Sequence, residues 1–166
     1  IIVTGTFKGT MDFDPDTLAT YALTSVGSDE IFLAKYTSSG LFLWANAMGG
    51  NQPPDQGKAV ACDGAGNIYV TGLYRDTADF DPTPATNHTL ISSNGTEDIF
   101  ILSCDPNGSV NWVKSIGGTG GDAGYGITCG QGNSIYLTGI FTGTVDFDPS
   151  ASGTHMETSS GYWDTY

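Results

Sequence analysis

Positive charge is scarce in this chain: five Lys and Arg residues stand against 18 Asp and Glu, a formal net charge of −13 over 166 residues. A surface this acidic repels phosphate backbones and anionic lipid, which argues against nucleic-acid and membrane partners. Long apolar runs are missing as well. None approaches the ~18 residues of a membrane-spanning helix, so no insertion into a bilayer is expected. Charged residues of both signs make up only 14% of the chain, too few for a coiled coil or a long helical bundle. Cysteine is limited to Cys62, Cys104 and Cys129, an odd set without Cys-x-x-Cys spacing. Neither a disulfide framework nor a zinc site follows from it. Glu is nearly absent: of the 18 acids, 15 are Asp and 3 are Glu. Asp favours turns where Glu favours helices, so the bias points to loops between strands. No basic segment followed by an apolar one opens the chain, and Ile1-Ile2-Val3-Thr4-Gly5 reads as the interior of a strand. A longer protein is expected upstream.

What the chain has instead is repetition. Ile68-Tyr69-Val70-Thr71-Gly72 recurs as Ile135-Tyr136-Leu137-Thr138-Gly139 and stands earlier as Ile1-Ile2-Val3-Thr4-Gly5, with successive glycines 67 residues apart. The box Asp-Phe-Asp-Pro starts at Asp12, Asp79 and Asp146, again at intervals of 67. Glu30-Ile31-Phe32 matches Asp98-Ile99-Phe100, and Trp44 with Gly49-Gly50 matches Trp112 with Gly117-Gly118, each 68 apart. The period is therefore about 67 residues, with single-residue slips in loops.

Within one period the strand signals are short and evenly punctuated. Lys58 to Cys62 is an apolar run of small residues closed by the turn Asp63-Gly64-Ala65-Gly66. Asn67 to Leu73 suits a strand buried on both faces. A long polar loop carries the box and ends near Asn94-Gly95. Asp98 to Cys104 follows, then the hairpin turn Asp105-Pro106-Asn107-Gly108 and the strand Ser109 to Ser115. No window carries a helical period. Four antiparallel strands per repeat make an all-β propeller blade.

The segments "GGTGGDAGYGITCGQGNSIYLTG" and "GGNQPPDQGKAVACDGAGNIYVTG" resemble the bacterial β-propeller repeat known as SBBP, whose pattern runs Gly-Gly, spacer, Gly-Ile-Ala-Val-Asp, turn, Gly-Asn-x-Tyr-Val-Thr-Gly. "DEIFLAKYTSSGLFLWANAMGG" and "EDIFILSCDPNGSVNWVKSIGG" resemble its second half. The resemblance covers nearly the whole chain. It departs at Gly130, where the pattern expects Asp as at Asp63, and at Tyr162 to Tyr166. It implies that Lys58 to Cys62 line a central channel, that Ser109 to Ser115 lie outermost, and that the source is a large exported protein of Bacteroidota type.

The three copies show three, four and three strands, about two and a half blades. Residues 1–50 are expected to form a partial blade, 51–118 a complete one and 119–166 another partial one. A closed ring needs more blades than this, and unpaired apolar edges recruit other strands. The expected partners are thus the remaining blades of the same propeller or other copies of the chain.

Candidate chemistry centres on the boxes. In an extended segment residues two apart point the same way, so Asp12 with Asp14, Asp79 with Asp81, and Asp146 with Asp148 offer paired carboxylates, with Ca2+ the fitting cation. The competing reading makes the aspartates turn caps, Pro the bend and Phe a wedge against the neighbouring blade. His88 and His155 read as surface residues, Cys62 and Cys129 as small buried thiols on successive inner strands, Trp44 and Trp112 as packing residues, and the Gly-Gly pairs as turns. Asn87, Asn94 and Asn107 open N-glycosylation triplets, and Thr17 and Thr77 follow Asp in the O-glycosylation pattern of Bacteroidota. There is no Gly-x-Ser-x-Gly elbow or zinc-hydrolase helix. A catalytic constellation breaks the symmetry of a repeat, whereas the polar residues here recur with it. The expected function is a non-catalytic structural, adhesive or interaction module at the cell surface or outside the cell, binding protein or glycan. The alternative is a propeller polysaccharide lyase or hydrolase whose catalytic residues lie in other blades.

Overall fold

The computed structural model describes residues 1–27, 29–81, 88–150 and 152–166. Among them every extended element is a strand, and all pairings are antiparallel. The first repeat holds β1 (Ile2–Phe7), β2 (Thr10–Asp12), β3 (Ala22–Thr24), β4 (Glu30–Tyr36) and β5 (Phe42–Gly50). The second holds β6 (Gln56–Cys62), β7 (Ile68–Arg75), β8 (Thr77–Asp79), β9 (Thr89–Ile91), β10 (Glu97–Cys104) and β11 (Val110–Gly118). The third holds β12 (Ala123–Cys129), β13 (Ile135–Phe141), β14 (Thr144–Asp146), β15 (Met156–Thr158) and β16 (Asp164–Thr165).

The blade strands lie in the order β6-β7-β10-β11 in the second repeat, β1-β4-β5 in the first and β12-β13-β16 in the third. Tight turns join them. Asp63 Oδ1 accepts the amides of Ala65 and Asn67 at 2.9 Å, and Asp105 Oδ1 those of Asn107 at 2.8 Å and Ser109 at 2.9 Å. Each of these turns ends on a glycine with φ +86°, Gly66 and Gly108, a conformation that L side chains rarely adopt. Equivalent strands keep equivalent registers: Gly5 faces Phe32 as Gly72 faces Phe100.

The core lies between sheets. One cluster joins Ile31, Leu33 and Met48 of the first repeat to Ile68, Val70, Tyr74, Phe100 and Leu102 of the second. A second joins Ile99, Ile101 and Ile116 to Phe141 and Val145 of the third. Strand β7 faces both ways, with Val70 and Thr71 each fully buried, which is why its sequence lacks a polar alternation.

Two expectations need correction. The polar loop carrying the box contains a two-stranded hairpin in every repeat, β2–β3, β8–β9 and β14–β15. Strand β8 pairs with the end of β5 (Gly49↔Asp79, Gly50↔Ala78), and β14 with the end of β11 (Gly117↔Asp146, Gly118↔Val145). Hairpins β8–β9 and β14–β15 thus strap their blades to the blade before, whereas β2–β3 forms a sheet of its own. Strand β11 remains the last of the four blade strands, with only its end at Gly117 and Gly118 covered by β14. The Gly-Gly pairs are strand ends rather than turns. A Cβ on Gly118 would collide with the Thr144 carbonyl oxygen, and one on Gly50 with that of Thr77, so only glycine lets the strap lie this close.

Candidate functional site

At the tip of each hairpin, the box folds on its own backbone. Asp12 Oδ1 accepts the amides of Asp14 at 3.0 Å and Tyr21 at 2.8 Å. Asp146 Oδ1 accepts those of Asp148 at 3.0 Å and His155 at 2.7 Å, and Asp79 Oδ1 that of Asp81 at 3.0 Å. Asp14 Oδ1 receives the amide of Asp16 and Asp148 Oδ1 that of Ser150. Phe13 and Phe80 turn inward and are buried, and Phe147 is half-buried. Phe80 lies 5.6 Å from Tyr74 and 4.9 Å from Phe100, ring to ring.

In the second box the two carboxylates do not share one environment. Asp79 is exposed, whereas the Asp81 side chain is only 3% exposed and lies 3.2 Å from His88 Nδ1. Among the described residues no group of three or more His, Cys, Asp or Glu is arranged around a common ion position. Pro82 and Asn87 lie outside the described residues. Thr17, Asn94 and Asn107 are exposed, Thr77 begins β8, and His155 is exposed beside Glu157. Trp44 and Trp112 are half-buried against the two interblade clusters. Cys104 is buried and Cys129 half-buried, but Cys62 is exposed because it ends the edge strand β6.

The sequence reading missed four buried acids. Glu30 opens β4 and Asp98 is the second residue of the equivalent strand β10, while Asp55 and Asp122 stand 67 residues apart just before β6 and β12. Asp55 is fully buried, Asp98 and Asp122 are 1% exposed and Glu30 3%. Asp55 Oδ2 accepts the Gly50 amide at 2.7 Å and Oδ1 the Arg75 amide at 3.1 Å. Asp98 Oδ2 accepts the Ser93 amide at 2.8 Å, and Asp122 Oδ1 that of Thr142 at 3.1 Å. Burial pushes the carboxyl groups of Asp55 and Asp98 up to about 6 and that of Asp122 to about 7. Amide hydrogen bonds oppose the rise, while Glu30 adds to it at Asp55 and Asp98 at Asp122. Burial raises Glu30 too. Their signal in the sequence was an acid repeating in phase with core residues.

Antiparallel sheets that stack through interblade cores and repeat with the sequence define this chain as a segment of a β-propeller repeat protein. It is similar to an uncharacterized WD repeat-containing protein of Acanthamoeba polyphaga mimivirus, 28% identical over 142 residues that cover 77% of this chain and 10% of the viral protein. The chain thus spans about a tenth of that relative's length. No family model matches it.

Proposed function

We propose that the chain is a non-catalytic interaction module, part of a propeller on a secreted or cell-surface protein of SBBP type from a Bacteroidota-like bacterium. Its blades run over residues 1–50, 51–118 and 119–166, and further blades of the same propeller or other copies of the chain cover the outer faces of the first and third. The observation that carries this reading is where the polar residues go. Box aspartates cap turns and the buried acids sit at blade junctions, both in repeating fashion, so none is gathered into a single asymmetric constellation. The WD repeat description of the viral relative fits a scaffold for partners. The acidic rim, presented to protein or glycan, is the binding face, and the boxes are wedges that need no calcium. Thr17, exposed in the turn of the first hairpin, is the better-placed acceptor for an O-linked glycan; Thr77 has its carbonyl against Gly50.

The test is cross-linking of the full-length protein in its native cells, followed by mass spectrometry. Exposed Lys8 and Lys114 are expected to link to a second protein, or rim peptides to carry a bound glycan. Links confined to the chain itself, together with turnover of a polysaccharide by the purified protein, overturn the reading in favour of an enzyme.

A further inference from the structure

We propose that each blade junction is a proton-binding site, in which Asp98 with Asp122, and Glu30 with Asp55, hold a shared proton that joins neighbouring blades. The first support is placement. The acids of a pair come from consecutive repeats: Glu30 and Asp55 both lie against Gly49, and Asp98 lies against Gly117 while Asp122 is close enough to feel its charge. A Cβ on Gly49 would stand 2.8 Å from Asp55 Oδ2 and 2.8 Å from Glu30 Cγ, so those two atoms are no more than twice 2.8 Å apart. At the second junction a Cβ on Gly117 would collide with the Asp98 carboxyl group. Glycine at both positions leaves the space that the buried acid side chains occupy.

The second support is the hydrogen-bond account. Among the described residues three buried side-chain atoms lack a partner: Asp98 Oδ1, Asp122 Oδ2 and Tyr166 Oη. All three belong to one junction, since Asp122 feels the charge of Asp98 and Tyr166 that of Asp122. A buried carboxylate oxygen without a donor is costly, and two of them facing a common interior are costlier. A proton on either acid converts an acceptor into a donor and removes one of the two buried charges at once. No cation does this instead. Among the described residues the ion pairs are Arg75 with Glu97, His88 with Asp81 and His155 with Glu157, none of which reaches these acids.

The groups around each pair push the same way. Around Asp98 and Asp122 lie Glu97 on β10, Tyr74 on β7 with its hydroxyl 2.7 Å from Ser115 Oγ on β11, and Tyr166 after β16. Around Asp55 and Glu30 lie Asp29, Tyr74 and the backbone amides of Gly50, Arg75 and Val26. Burial and negative neighbours favour the protonated form; the amides, and at Asp98 the Ser93 and Ser115 hydroxyls, oppose them without cancelling the rise.

The sign follows. The folded carboxyl groups titrate above their ordinary value of 3.8, so the folded chain holds protons that the unfolded chain has released. The stabilisation is present in full below the unfolded value and is lost as pH rises through about 6 to 7.

The experiment is thermal and urea unfolding of the chain at pH 5 to 8, beside Asp122→Asn and Asp55→Asn. In the parent chain the unfolding constant is expected to rise at least tenfold over that range. In Asp122→Asn the rise is expected to shrink and the melting temperature at pH 8 to exceed that of the parent. Every other titratable group is common to both proteins, so the difference between them isolates the acid. A second readout needs no variant: a protonated-carboxyl C=O band in the infrared spectrum of the folded parent at pH 6, lost by pH 8. Equal pH slopes in parent and variants, or absence of that band, overturn the proposal.

Discussion

Replacing Phe80 by Ala separates the two roles that an Asp-Phe-Asp-Pro box can play. The Phe80 ring is fully buried and sits in the core between the first two blades, edge-on to Tyr74 at 5.6 Å and tilted against Phe100 at 4.9 Å. Truncating a fully buried Phe costs about 3–5 kcal/mol, the upper part where rigid neighbours cannot close the cavity. Tyr74, itself fully buried and tied to Ser115, is such a neighbour. We therefore expect a loss of about 4 kcal/mol. Asp79→Asn should cost under about 1 kcal/mol, because the amide oxygen still accepts the Asp81 N–H that Asp79 Oδ1 now takes. Phe13→Ala should resemble Phe80→Ala, and Phe147→Ala, truncating a half-buried ring, should cost less. The assay is urea unfolding, with the change read from midpoints at constant slope. Repeating it in millimolar calcium and in chelator should leave every midpoint unchanged. A cation bound to the folded state at a hundred times its Kd would add about 2.7 kcal/mol. A larger loss from Asp79→Asn than from Phe80→Ala, or a calcium-dependent midpoint that Asp79→Asn abolishes, would refute the wedge.

The Gly-Gly pairs give two further tests. Gly118→Ala should push the Thr144 carbonyl away and open the strap, costing about 1–3 kcal/mol and speeding amide exchange at Val145; unchanged exchange contradicts it. Gly117→Ala should instead displace the Asp98 carboxyl group, weakening the pH dependence of unfolding while β11–β14 pairing persists.

The blade strands were legible because each carries its own punctuation. Asp63 and Asp105 advertise their turns, and Ile68 to Leu73 is apolar enough to be read as a doubly buried strand. The straps were not legible. Thr77-Ala78-Asp79 and Thr144-Val145-Asp146 are three residues long, too short for any period to show, and each partner strand lies in the preceding repeat. The same holds for the glycines: Gly49-Gly50 looks like a turn until the carbonyl of Thr77 is seen against it. In the boxes, the two-residue periodicity assumed an extended chain, whereas the Asp81 amide bends back to Asp79 and places the carboxylates differently. Asp55 and Asp122 escaped because an Asp that follows Pro or Gly reads as loop. Only the packing of Asp55 and Asp122 between sheets shows that they are interior.

We expect the three repeats to be successive blades turned by a constant angle, the second and third each strapped to the one before. Spin labels placed pairwise at the exposed Asp12 and Asp79, and at Asp79 and the half-buried Asp146, with the native cysteines replaced, measure this by pulsed electron resonance. Two equal, narrow distances are predicted, with the Asp12 to Asp146 distance clearly shorter than their sum because the path curves around the propeller axis. Unequal distances, or three labels in a straight line, would contradict it.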